Sequence, residues 1–205
     1  MQISSARKFT RQLLWLLSAS LIGAAFLVAA QSGEKAKPEK PKKLRETYSM
    51  TAFPQRGALG AQTVLLTVVV DAYSTDAEVL DLVETLKAKD GADQMLKKLN
   101  KMNKGRISPV SRLGTNLAVV RTHATENGRV IRMLTDRPIS FFEAYNSTRS
   151  RDYPFSIIEL RLDKDGKGEG TLLVATKIKF NKENMLEIEN YGRDPIRLVN
   201  VRREK

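Results

Sequence analysis

The sequence predicts an α+β domain: one strand, a helical hairpin, then an antiparallel meander of about seven strands, forming a curved sheet or partial barrel packed on the helices. Three observations carry this. A β-branched run, TVLLTVVV at Thr63–Val70, precedes two segments with apolar residues at helical spacing. From Arg106 onward the apolar period changes to two. Turn signals, above all Glu126-Asn127-Gly128 and Asp165-Gly166, punctuate that second half.

Taken in order, Thr63–Val70 is too apolar to keep one face wet and predicts a central strand covered on both sides. Thr75-x-x-Glu78 has the form of a capping box, in which each side chain satisfies the other residue's free N–H. Val79, Leu80, Val83 and Leu86 then share one face, and Asp90-Gly91 breaks the helix. A second helix begins near Ala92, with Met95, Leu96, Leu99 and Met102 inward and Lys97, Lys98 and Lys101 outward. Strands follow over Asn116–His123 and Arg129–Leu134, around Ile158–Asp163, Leu172–Phe180 and Leu186–Glu189, and over Ile196–Val201. Their alternating Lys, Arg and Glu predict cross-strand ion pairs on a solvated face.

Residues 1–30 read as a signal peptide or membrane anchor. Arg7, Lys8 and Arg11 precede the apolar stretch Leu13–Ala30, which closes on the small residues Val28-Ala29-Ala30. Both versions place the remainder outside the cytoplasm, periplasmic or secreted, with membrane attachment through 13–30 if the segment is retained. Residues 31–61 read as a Lys/Pro-rich disordered tether and a lead-in loop, and 62–205 as the folded domain. The absence of cysteine excludes a lipid anchor on cysteine, disulfides, thiol catalysis and cysteine-based metal sites. The formal charge of +12 favours an anionic envelope component or a protein partner; for an exported chain, nucleic acid is not expected.

The richest recognition chemistry lies in TDRPISFFEAYNSTRSRDYPF, Thr135–Phe155, where aromatics alternate with charges. Rings supply rigid contact area and guanidiniums grip carboxylates or phosphates. Arg137, Glu143, Tyr145, Arg149, Arg151, Asp152 and Tyr153 are the candidate ligand- or partner-binding residues. Glu143, Asp152 or Asp136 are the acids an alternative hydrolase reading would use. No catalytic set is assigned, and no metal or cofactor is expected. His123 stands alone, no Gly-x-Ser-x-Gly elbow exists, and Asp163–Gly170 has turn chemistry rather than calcium-loop spacing.

The segments TDRPISFFEA, SRDYPF and IELRLDKDGKGEG resemble a family of uncharacterised exported bacterial proteins. The similarity runs from about Thr63 to Val201. It implies export and a single domain, and it brings no activity, ligand or catalytic residue. The expectation is therefore a non-catalytic extracytoplasmic module that binds a protein partner or small ligand. The alternatives are an envelope-associated hydrolase and a purely structural envelope protein.

Overall fold

The period-two segments form antiparallel strands, and the sheet they make curls until its edges meet. The computed structural model describes residues 45–53, 63–139, 153–181, 183, 185–190 and 194–204. Its elements are β1 (Glu46–Phe53), β2 (Val64–Val70), α1 (Asp76–Lys87), α2 (Gly91–Leu99), β3 (Gly105–Pro109), β4 (Thr115–Thr125), β5 (Gly128–Thr135), β6 (Phe155–Asp163), β7 (Lys167–Phe180), β8 (Leu186–Asn190) and β9 (Ile196–Arg203). Neighbours run β6-β5-β4-β3-β2-β1-β9-β7, and β7 pairs back onto β6, closing eight strands into a barrel. β8 pairs with the outer half of β7, Thr176–Phe180, and stands outside the ring.

Three expectations need correction. The stretch read as tether end and lead-in loop contains a strand, β1, bonded to β2 on one side and β9 on the other. Tyr48, Met50 and Ala52 point inward and alternate with Ser49 and Thr51; the two-residue period was there, but Pro54, Gly57 and Gly60 behind it give a stronger loop signal. The order is not a plain meander, because β7 is long enough to bond β6, β8 and β9. The helices do not cover the inner face of the sheet. That face closes on itself, and the helices pack on the outside.

The barrel interior is filled by side chains from every strand of the ring, including Tyr48, Leu66, Val68, Ile107, Leu117, Ile131, Ile158, Leu160, Leu172 and Leu198. A barrel of ~8 strands has an interior that side chains just fill. The seam is made possible by two inward glycines of β7, opposite Leu160 and Leu162. A Cβ on Gly168 would lie 1.9 Å from the Arg161 carbonyl oxygen, and one on Gly170 2.4 Å from that of Glu159. The register of β7 with β9 shifts between these two residues, where the strand bends.

A second core lies outside the barrel. Leu82 of α1 and Met95 and Leu99 of α2 bury against Ala118, Phe155, Ile157, Leu173 and Ile178. The capping box forms: the Thr75 hydroxyl accepts from the Glu78 N–H at 3.2 Å, and the Glu78 carboxylate accepts from the Thr75 N–H at 2.8 Å. The buried stripe of α1 is rotated from the expected one. Leu82 and Thr85 are buried and Leu80 is 56% exposed, because α1 faces α2 and the sheet together. β2 is also only partly as expected. Val68, Val69 and Val70 are buried, whereas Leu65 is 61% exposed on the outer wall.

The antiparallel registers define two ends. One, the turn end, carries Glu46, Val70, Gly105, the 126–127 turn, the 163–167 turn and Arg203. The other, the loop end, carries Phe53, Val64, residues 109–115, Thr135, Phe155 and Ile196.

Candidate functional site

At the turn end a carboxylate is buried among donors. Glu46 opens β1 with an inward side chain that is 4% exposed. Tyr48, two residues on and on the same face, donates its hydroxyl to Oε2 at 2.6 Å; Tyr73, between β2 and α1, donates at 2.7 Å. Arg129 of β5 lies 3.2 Å from Oε2 and Arg203 of β9 3.0 Å from Oε1. Arg129 also donates to the Tyr48 hydroxyl at 2.6 Å. Burial pushes the Glu46 carboxyl up, but the two phenols and the Arg129 charge outweigh it and hold it below the ordinary value. Burial and the hydrogen bond to Glu46 push the Tyr73 phenol up to about 12 and raise Tyr48 as well. Hydrogen bonds from Tyr48, Tyr73 and Arg129 and the ion pair with Arg203 surround this carboxylate, so it is held as a structural knot.

The loop end holds two of the sequence-derived candidates, Arg137 and Tyr153. Thr135, Ser156 and Thr176 are fully buried there. Ser156 Oγ donates to the Val174 carbonyl at 2.5 Å and accepts from the Ile139 N–H at 3.0 Å. Thr135 Oγ1 accepts from the Ser156 N–H at 2.9 Å and donates to the Arg137 carbonyl. These bonds fold the chain after β5 back over the barrel mouth and seat Ile139, fully buried, in the interior core. Arg137 is exposed on this turn. Tyr153, half-buried before β6, donates to Glu189 of β8 at 2.6 Å, and that bond, with Lys179, holds the Glu189 carboxyl below its ordinary value. Arg137 and Tyr153 therefore flank one segment at one end of the barrel. Glu143, Tyr145, Arg149, Arg151 and Asp152 lie outside the described residues. Among the described residues, Asp136 Oδ1 and Thr115 Oγ1, both at this end, are buried without a hydrogen-bond partner.

The remaining motifs are structural. The Asp163 carboxylate accepts from the N–H groups of Asp165 and Lys167, each at 2.9 Å, which fixes the turn. His123 is exposed on β4. On the wall of β5, β6, β7 and β9, Glu159 pairs with Arg132 at 2.7 Å and Arg161 at 2.8 Å, and Glu169 with Arg197 at 3.8 Å. These pairs line a shallow polar depression beside Gly170 and Thr171. The expected cross-strand ion pairs are thus present.

Sequence reasoning missed the Glu46 knot entirely. Glu46 stands at the end of a charged tether, and its partner Arg129 is 83 positions away. The one signal was local: Glu46-x-Tyr48-x-Met50 places a carboxylate and a phenol on the face of an apolar strand position. Compared with family models, curated proteins and solved structures, the chain matches none.

Proposed function

We propose that this chain is an extracytoplasmic, non-catalytic module that binds a protein partner through the 136–153 region at the loop end of its barrel. The observation that supports it most is the rigid base of that region. Ile139 is locked into the interior by Ser156, and Tyr153 is tied to Glu189, while Arg137 stands exposed two residues before Ile139. A recognition segment held at both ends on a sheet loses less conformational freedom on binding than a free loop. The candidate contacts are Arg137 and Tyr153, with Glu143, Tyr145, Arg149, Arg151 and Asp152 from the intervening sequence. The test is a photo-crosslinking residue placed at Arg137 and, as a control, at Lys97 on α2, in the native host. One defined adduct from 137 and none from 97 is expected; identical patterns from both sites defeat the reading. Mass spectrometry of the same samples locates the N-terminus, and intact protein in the cytosol with Met1 retained defeats the extracytoplasmic part.

A hydrolase remains the second reading because of one observation: the buried, unpartnered Asp136 Oδ1. Acids that act on substrate are often left with unfilled hydrogen-bonding capacity until substrate arrives. If this reading holds, Asp136→Asn abolishes turnover of ester or peptide substrates without lowering the unfolding midpoint.

A further inference from the structure

The described helices and β8 pack outside β4, β6 and β7, and the opposite wall, β3-β2-β1-β9, carries neither. Those four strands contain one acid, Glu46, and it is turned into the barrel. Among the described residues, acids stand at the margins of the wall: Asp71 after β2 and Glu204 beside the Ser49 hydroxyl at the turn end, and Asp194 and Glu169 at the β9 edge. Arg106 and Arg112 are exposed and make no ion pair among the described residues. The sequence from Gln94 to Thr125 holds no Asp or Glu at all.

At its loop-end margin the wall displays apolar side chains instead of covering them. Phe53 is 43% exposed, Leu65 61%, Val110 56% and Leu113 95%. They form one group. Thr51 is paired with Leu65 across β1 and β2, which places Phe53 diagonal to Leu65 on the outer face. The Val110 N–H donates to the Leu65 carbonyl at 3.1 Å. Leu113 projects from the β3–β4 turn next to Arg112.

We infer that this margin rests on an anionic phospholipid surface, with Leu113, Val110, Leu65 and Phe53 entering the acyl boundary, Arg112 at headgroup level and Arg106 further along the acid-free wall. Protruding apolar residues rimmed by cations suit that boundary, where anionic lipids attract arginine and the apolar side chains leave water. A second copy of the chain does not fit, because it brings the same cations on a molecule of net charge +12. This inference goes beyond the binding reading and rests on other residues, those of the β3-β2-β1-β9 wall.

The absence of native cysteine makes the test direct. The full chain carrying Leu113→Cys, labelled with an environment-sensitive fluorophore, is reconstituted in phosphatidylcholine vesicles with and without phosphatidylglycerol. Asp165→Cys, on the turn at the opposite end, is the control. The expected result is a blue shift at position 113 in anionic vesicles only, reversed by high salt and by Arg106→Ser with Arg112→Ser, and none at position 165. Equal emission at both positions, or the same emission in neutral and anionic vesicles, overturns the inference. A shift at 113 produced equally by soluble polyglutamate over neutral vesicles also overturns it and assigns the wall to an acidic protein. These vesicles contain no other protein, so the outcome is independent of the crosslinking at Arg137.

Discussion

Replacing Glu46 by Gln removes the one negative charge around which Tyr48, Tyr73, Arg129 and Arg203 are arranged. Two guanidiniums are then left without their counter-charge, and a loss of about 3 kcal/mol is expected, read from urea unfolding midpoints. Tyr73→Phe removes one hydrogen bond to the same carboxylate and costs about 1.5 kcal/mol. The pH dependence follows from the direction of the shifts. Glu46 and Glu159 are held below the ordinary carboxylate value, against burial, by phenols and by arginines respectively. Their contribution is complete above the unfolded-state pKa of roughly 4.3 and is lost as pH falls through their lower folded values. Tyr73 runs the other way. Its contribution is complete below its ordinary value and is lost as pH rises through about 12. A urea-midpoint profile that has the same acid limb in the wild type and in Glu46→Gln contradicts this assignment. At this scale little of the site was legible in sequence. The knot unites residues from β1, the β2–α1 connection, β5 and β9, and nothing local to any of them announces the others.

Among the elements, the helices were the most legible, because a helix is specified by neighbours three and four positions apart. The capping box at Thr75 and Glu78 and the stripe of α2 formed as the spacing indicates. Thr75→Ala is expected to cost about 1 kcal/mol, measured by thermal unfolding. The face of α1 was less legible, since which stripe is buried depends on what it packs against. β1 was hidden by its composition: Thr47, Ser49 and Thr51 make its outer face polar and small, and its inner face earns meaning only inside a closed barrel. The seam glycines of β7 read as hairpin or bulge glycines in the sequence, and Gly168 and Gly170 bracket a register shift within the strand. Gly168→Ala forces a methyl into the Arg161 carbonyl. About 3 kcal/mol of destabilisation is expected, with the β6–β7 amides losing their hydrogen-exchange protection first.

For the molecule as a whole, antiparallel strands joined by short turns were legible from the alternation, and closure was not. Alternation says that a strand has two different faces. It does not say whether the inner face meets a helix layer or the far side of its own sheet. The distinction matters for function. An open sheet under helices presents one free surface, whereas a barrel clad on one side by helices presents, among the described residues, a wall without helices and two ends. Ile139 and Tyr153 sit at one of those ends, and residues 140–152 between them in sequence lie outside the described residues.

The pairing of β1 with β9 carries a consequence for biosynthesis. It joins the first strand of the ring to the last, and residues so far apart in sequence meet slowly. The barrel cannot shut until Ile196–Arg203 has been synthesised. Throughout translation of the preceding residues the nascent chain stays open. The same delay leaves β2 and β6, the most apolar strands, exposed in the waiting chain. Until its last strand is made, such a chain is open to aggregation through those strands.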